Sequence, residues 1–250
     1  MQAVQKFCGK AKIYAKHRPG YPKRYFCYLK RAGSLSSDTV IADIGSGTGI
    51  FTRYLLQMGY RVFGVEPNNE MRAQSIRFLK DYPLFHPISG SAENTGLPSK
   101  SIDLITAAQL FHWFDADAFR TECQRILKPN GKVALILNTR DESSRIVPET
   151  AALFRKFCTE FKGFSNGIGT QDAAAAFFAD KNYECKEFEN PLVYDRAGFL
   201  GRNLSASFSL RPGDPNFSDF VRKIEAVFDR YQQNDIISLP NFTRSYFGEI

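Results

Sequence analysis

Apolar positions along the chain switch repeatedly between short runs and a helical period. TVIAD at 39–43 is brief, β-branched and closed by a glycine cluster, which predicts a buried parallel strand. From Thr48 the spacing changes: Phe51, Tyr54, Leu55 and Met58 share one helical face, and Gly59 stops the helix. RVFGVE at 61–66 predicts a second strand. Pro67-Asn68-Asn69 then opens a helix to about residue 80, with Glu70 favourably placed in its first turn. LFHPIS at 84–89 predicts a third strand, which Pro87 assigns to a sheet edge. SIDLITAA at 101–108 is a fourth. Asp115 caps the next helix, striped by Phe119, Cys123, Ile126 and Leu127 and stopped by Lys128-Pro129-Asn130-Gly131. GKVALILN at 131–138 is a fifth strand. Strands alternating with helices in this way imply βαβ crossovers and a parallel sheet covered on both faces.

Beyond residue 140 the pattern changes. Leu153, Phe154, Phe157, Cys158 and Phe161 form a helical stripe, followed by a loop and an alanine-rich helix over 171–180. YECKEFEN at 183–190 alternates like a half-exposed strand, whereas 191–213 gives no period. Asp214-Pro215 opens a helix striped by Phe217, Phe220, Val221, Ile224, Phe228 and Tyr231. The tail holds one or two short strands able to pair with 183–190. The expected organisation is one unit over 1–250: a basic cap at 1–31, a cofactor-binding core at 32–140, a helical lid and substrate side at 141–235, and a terminal strand at 236–250.

Composition narrows the class. Hydrophobic residues at 43% and charged residues at 24% exclude disordered and collagen-like chains. No aliphatic run approaches the roughly 18 residues a membrane span needs, and the first ten residues lack a secretory pattern, so a cytoplasmic protein is expected. Cys8, Cys27, Cys123, Cys158 and Cys185 are scattered without a CxxC, and His17, His86 and His112 lack ligand spacing. Neither a disulfide framework nor a metal is expected. The net charge of +7 is uneven: Lys6, Lys10, Lys12, Lys16, Arg18, Lys23, Arg24, Lys30 and Arg31 precede residue 32 without one Asp or Glu. Such a segment steers anions, or is the solvated face of an amphipathic helix with its aromatics turned inward.

VIADIGSGTG at 40–49 carries the chemistry. A strand ends in Asp43, then Gly45-x-Gly47-x-Gly49 leads straight into a helix, where glycine lets a ligand approach the backbone and the helix start offers N–H groups. Glu66 ends the next strand, where a ribose hydroxyl would be held. A dinucleotide fingerprint requires glycine at Ile50, and no Lys-Ser/Thr pair marks a phosphate loop. Asp43 suits a cationic amino group better than a phosphate.

Asp43, the three glycines and Glu66 together resemble the class I S-adenosylmethionine-dependent methyltransferases. GSAENTGLPSKSIDLITAAQLFHWFD at 90–115 and RILKPNGKVALI at 125–136 resemble the small-molecule, type 11 branch that includes ubiquinone/menaquinone and trans-aconitate methyltransferase relatives. YAKHRPGYPKRYFCYL at 14–29 is similar to the segment preceding that core. The resemblance implies an α/β, doubly wound, seven-stranded and mostly parallel sheet, in order 3-2-1-4-5-7-6 with an antiparallel last strand and a helical lid insert. It implies S-adenosylmethionine as donor, S-adenosylhomocysteine as product and a small-molecule acceptor.

By the same resemblance Gly45, Ser46 and Gly47 lie along the methionine moiety, with Asp43 near its amino group. Glu66 accepts the ribose hydroxyls, Pro67 packs by the adenine, and Ser91 and Ala92 flank the adenine edge. Gln109 lines the cleft, and Tyr14 and Arg18 close over the cofactor. His112, just past the fourth strand, is the candidate general base; it and Trp113 also suit simple packing at a helix start. Arg18, Arg196, Arg202 and Arg211 are candidates to recognise an acidic acceptor. Two other readings stay open: an RNA methyltransferase or nucleic-acid-binding protein, which the pI of about 9.1 permits, and a cofactor-binding protein without catalysis.

Overall fold

The computed structural model describes residues 20–141, 143–164, 171–178 and 183–250, and the side chains of His112, Gln171 and Asp172 lie outside that description. Helix α1 (Lys23–Ala32) leads into β1 (Val40–Ile44), α2 (Ile50–Gln57), β2 (Arg61–Val65), α3 (Asn69–Phe78) and β3 (Phe85–Ile88). After β4 (Ile102–Ala108) come a 3₁₀ turn at Phe111–Trp113, α4 (Ala116–Ile126) and β5 (Leu127–Arg140). The second half contains α5 (Ile146–Phe157), α6 (Gln171–Phe178), β6 (Tyr183–Glu189), β7 (Leu192–Tyr194), α7 (Arg196–Leu204), α8 (Phe217–Tyr231), β8 (Ile237–Leu239) and β9 (Asn241–Gly248).

Seven strands form one sheet in the order β3-β2-β1-β4-β5-β9-β6. The pairs among β3, β2, β1, β4 and β5 are parallel, and β9 runs antiparallel to both β5 and β6. This is the α/β, doubly wound, mostly parallel arrangement expected, with its antiparallel strand last in the chain. The period-two alternation of β5 explains why both faces are covered. Val133, Leu135 and Leu137 pack into a core with Phe119 and Cys123 of α4 and Phe177 and Phe178 of α6. Ala134 and Ile136 pack oppositely, with Tyr25 and Leu29 of α1 and Phe51 and Leu55 of α2. A third core, containing Phe154, Phe199, Phe220 and Phe228, ties α5, α7 and α8 together.

The basic segment resolves within α1 as an amphipathic helix. Tyr25, Phe26, Tyr28 and Leu29 are buried, while Lys23, Arg24, Lys30 and Arg31 are exposed. β3 occupies the sheet edge, where Pro87 costs no ladder bond to a second neighbour. Cys123 and Cys158 are buried; Cys27 and Cys185 are exposed.

Four boundaries differ from expectation. Helix α4 passes directly into β5, because Leu127 already pairs with Ile102 before the chain turns and regains register at Lys132 opposite Leu104. Asn130 supplies the positive φ (65°) for that turn. The aperiodic 191–213 holds a three-residue strand and helix α7, whose start Asp195 caps by accepting from the Gly198 N–H at 2.7 Å. Of the two tail strands, β9 pairs with β6 as expected, but β8 pairs with β7. Helix α8 begins at Phe217, since Asn216 is left-handed (φ 63°) and Asp214 turns back to accept from the Arg211 N–H.

Candidate active site

β1, β2 and β4 end on the same edge of the sheet, and the site is assembled from the loops leaving these three strand ends, together with the loop after β3. Between β1 and α2 the chain turns through Gly45 to Gly49. The Gly45 and Ser46 N–H groups both donate to the Val65 carbonyl, at 2.8 and 3.1 Å, fastening the turn to the end of β2. At Gly45 φ is +67°, and a Cβ would stand 2.2 Å from Leu110 Cδ1, so conformation and space both require glycine. At Gly47 φ is +56°, but among the described residues a Cβ would meet only the Gly45 carbonyl, at 3.9 Å.

Glu66 spans that turn from the tip of β2. Its Oε2 accepts from the Gly47 N–H at 2.9 Å and its Oε1 from the Asn68 N–H at 2.8 Å. Burial raises the carboxyl above its ordinary pKa, against the lowering effect of both N–H bonds and the nearby Arg72 guanidinium. Each carboxylate oxygen has lone pairs beyond the one it shares with the backbone. Asn68 also caps α3, accepting from the Glu70 and Met71 N–H groups at 2.9 and 3.0 Å. Pro67 stands exposed between these two fixed residues.

Asp43 lies one layer deeper, with 1% of its surface exposed. Thr52 of α2 donates to Oδ2 at 2.6 Å, and Thr106 of β4 donates to Oδ1 at 2.9 Å. Burial pushes its pKa up to about 6; the two threonine bonds oppose that rise and the neighbouring Glu66 charge adds to it. The carboxylate therefore sits beneath the turn, rather than opening onto it.

Three buried polar atoms beside the loop have no hydrogen-bond partner among the described residues: Ser46 Oγ, Thr48 Oγ1 and Gln109 Nε2. Buried polar groups are almost always satisfied, so these atoms carry hydrogen-bonding capacity that the described residues leave unused. Gln109 also holds a left-handed conformation (φ 70°), and its N–H donates to the Ile136 carbonyl at 2.8 Å. That bond pins it at the end of β4.

Ser91 and Ala92 lie just beyond β3. The Ser91 N–H donates to the Asn94 carbonyl at 3.0 Å, while Ala92 packs into the core that contains Ile44 and Val65. Glu122 of α4 steadies this loop by accepting from the Thr95 N–H at 2.8 Å and the Thr95 hydroxyl at 2.6 Å. Burial works to raise the Glu122 pKa, but the Arg125 and Thr95 bonds outweigh it and hold the carboxyl down to about 2.

Asp43, Gly45, Ser46, Gly47, Glu66 and Gln109 thus share one edge, with Ser91 and Ala92 on the adjoining loop. Residue 112 falls on the 3₁₀ turn after β4; its side chain lies outside the described residues. Tyr14 and Arg18 lie outside them altogether. Among the suggested arginines, Arg196 pairs with Asp229 on the surface and Arg211 is exposed, whereas Arg202 is buried. Sequence reasoning passed over Thr52, Thr106, Leu110 and Glu122. The one available signal was Thr106, a hydroxyl set among the apolar residues Leu104, Ile105, Ala107 and Ala108 of its strand.

This strand order, with a glycine turn flanked by two strand-end acids, defines the class I methyltransferase fold. The family model described as "Methyltransferase domain" matches residues 42–135, a span containing the described glycine turn, both acids and Gln109. An uncharacterized methyltransferase-like protein of Schizosaccharomyces pombe is 30% identical over 238 residues, covering 94% of this chain and 92% of that one. An uncharacterized methyltransferase of Mycobacterium tuberculosis strain H37Rv is 34% identical over 129 residues, 52% of this chain and 50% of its own length. Among solved structures, YcgJ of Bacillus subtilis has a TM-score of 0.57 at 18% identity, covering 92% of this chain and 100% of its own. A structure solved in work on conversion of a disulfide bond into a thioacetal group during echinomycin biosynthesis has a TM-score of 0.58 at 16% identity, covering 100% and 93%. The chain belongs to the methyltransferase family: it is an enzyme of the S-adenosylmethionine-dependent class.

Proposed function

We propose that the protein transfers a methyl group from S-adenosylmethionine to a small-molecule acceptor and releases S-adenosylhomocysteine. The observation carrying this reading is the group of polar atoms without a hydrogen-bond partner among the described residues, Ser46 Oγ, Thr48 Oγ1 and Gln109 Nε2, around an open glycine turn beside a strand-end glutamate. Those atoms and that opening fit the donor's amino acid portion, and the remaining lone pairs of Glu66 fit a ribose diol. When bound, the donor supplies an activated methyl on a sulfonium: a nucleophile's lone pair forms the new bond as carbon–sulfur breaks, and the pair stays on sulfur.

The protein's share is positioning and exclusion of water. Gly45, Ser46 and Gly47 line the methionine moiety. Asp43 places its charge beneath the amino group, held there by Thr52 and Thr106 rather than by direct contact. Glu66 orients the ribose, Pro67 packs by the adenine, and Ser91 and Ala92 border it. Gln109 faces the methionine side. His112 takes the proton when the acceptor is a hydroxyl or amine; in that case His112→Ala lowers turnover and removes an acidic limb from the pH–rate profile. An unchanged profile in His112→Ala refutes the assignment.

Tyr14 and Arg18 belong to a covering segment over residues 1–31, above a core at 32–140, a lid and substrate side at 141–235 and the closing strand at 236–250. The anchor of that cover is a polar knot: Asn138 and Asn190 donate to the Gly20 carbonyl at 3.2 and 3.0 Å, and Thr243 donates to Asn138 Oδ1 at 2.6 Å. Deleting residues 1–19 is expected to weaken S-adenosylhomocysteine binding at least tenfold; unchanged affinity overturns the cover. Among the described residues no helix is long and apolar enough to cross a membrane. Exposed free thiols at Cys27 and Cys185 suit the reducing cytoplasm. The direct test is mass spectrometry of cell extract incubated with the protein and methyl-deuterated donor: a small molecule carrying the label supports the reading, and label in RNA alone overturns it.

A further inference from the structure

The sheet has two edges, and the chain protects them differently. At one edge, β3 has four residues, and Pro87 interrupts its row of N–H donors. At the other, β6 runs seven residues without proline, from Tyr183 to Glu189. β9 pairs with one side of β6 along its whole length, and among the described residues no strand pairs with the other side. Glu184, Cys185, Lys186 and Glu187, the middle of the strand, are all exposed.

Register decides which backbone groups face outward. The Asn190 N–H donates to the Asn241 carbonyl at 2.8 Å, and the Asp141 N–H donates to the Pro240 carbonyl at 3.2 Å. Directly bonded pairs alternate with unbonded ones along an antiparallel ladder. Both bonds therefore turn the odd-numbered residues of β9 toward β6, where they meet Glu184, Lys186 and Phe188. The N–H and carbonyl groups of Tyr183, Cys185, Glu187 and Glu189 point away from β9, and among the described residues no strand takes them up.

The side chains select a partner for this row. Glu184 and Lys186 share one face of the strand and form an ion pair at 2.6 Å. When two copies pair antiparallel, a two-fold axis at Glu184, Lys186 or Glu187 sets that residue against its own like charge. An axis at Cys185 instead sets Glu184 opposite the second copy's Lys186, once on each side of the axis. These are the pairs without direct backbone bonds, where opposing side chains approach most closely. The same register lets the outward groups of Tyr183 bond to the second copy's Glu187, and those of Cys185 to its own counterpart.

We propose that β6 is a self-association edge: two copies pair antiparallel about Cys185, one sheet runs through both, and crossed Glu184–Lys186 ion pairs fix the register. A single strand pair is a small interface, so the dimer is reversible and grows with concentration. The inference does not depend on the methyl-transfer reading.

Sedimentation velocity of the full-length protein over about 1–300 µM tests it. The mass is expected to rise with concentration from the 28.3 kDa monomer toward twice that value. Lys186→Glu and Glu184→Lys each place like charges across the axis, and each is expected to weaken association about tenfold or more. Mixing the two variants restores opposite charges at both crossings, and a heterodimer as strong as wild type is expected. Should a charge variant fail to fold, Cys185→Pro takes its place: it removes one outward N–H, keeps every bond to β9 and is expected to abolish the dimer. A wild-type protein monomeric throughout the range, variants that associate like wild type, or a mixture that stays monomeric overturns the inference.

Discussion

The two halves of the molecule handle polar groups in different ways. At the glycine turn, polar atoms are placed with gaps: Ser46 Oγ, Thr48 Oγ1 and Gln109 Nε2 lack partners among the described residues, although each atom is buried. In the half built from α5, α7 and α8, the buried Thr150 hydroxyl and Asn203 amide close upon their own helices, bonding to the Ile146 and Phe199 carbonyls. The first half is a parallel sheet whose loops are locked by backbone bonds. The second is an aromatic core, with Phe154 alone 5.0–5.6 Å centroid to centroid from Phe161, Phe164, Phe208 and Phe220. Aromatic packing of this kind fixes a cavity wall by area and shape rather than by hydrogen bonds. One half therefore leaves hydrogen-bonding capacity open at its loops, while the other is held by aromatic contact.

The largest expected effect tests the buried charge under the turn. Asp43 has a folded pKa near 6 against an ordinary 3.8, so the native state binds the extra proton between those values. Stability of the ligand-free enzyme then rises as pH falls through that window, by about 3 kcal/mol in total. Asp43→Asn removes this dependence, which denaturant melts at pH 7 and pH 4 measure directly. Parallel curves for the two proteins contradict a buried, ionised Asp43.

Glu66→Gln is expected to weaken S-adenosylhomocysteine binding about 100-fold, or about 2.7 kcal/mol, through loss of charged bonds to two hydroxyls. Unchanged S-adenosylhomocysteine affinity in Glu66→Gln would contradict the part given to this carboxylate. Gly45→Ala forces a Cβ into Leu110 at a positive φ, and a cost of about 1–3 kcal/mol in folding stability is expected. Stability equal to wild type in urea melts would show that Leu110 yields freely.

The smallest effect concerns the loop bearing Ser91 and Ala92. Glu122→Gln removes charge from the bonds to Thr95 and Arg125, costing about 1–2 kcal/mol at pH 7. Because the Glu122 pKa is lowered to about 2 from 4.5, its contribution is full above 4.5 and fades as pH falls toward 2. The gap between wild type and variant closes over that range.

The parallel half was legible because its signals are local. Strand runs, the Asp115 cap and the glycine turn each declare themselves within a few residues, and burial on both faces makes β1, β4 and β5 read as apolar runs. What lay beyond reach was set by distant partners. Asp43 turns inward because Thr52 and Thr106 meet it there, and only the assembled sheet brings those two together. The second half was harder for the same reason. β7 has three residues and exists by pairing with β8, which begins only after the whole of α7 and α8. A pocket where the ends of β5 and β9 meet α5 and α7 joins residues 140, 164, 202 and 241, which no spacing rule connects.

Titration of S-adenosylhomocysteine into the full-length protein by calorimetry is the most direct check on the donor site. Saturable one-to-one binding is expected, with NAD giving no heat under the same conditions. Absence of heat with S-adenosylhomocysteine in well-folded protein, or tighter binding of NAD, would contradict it.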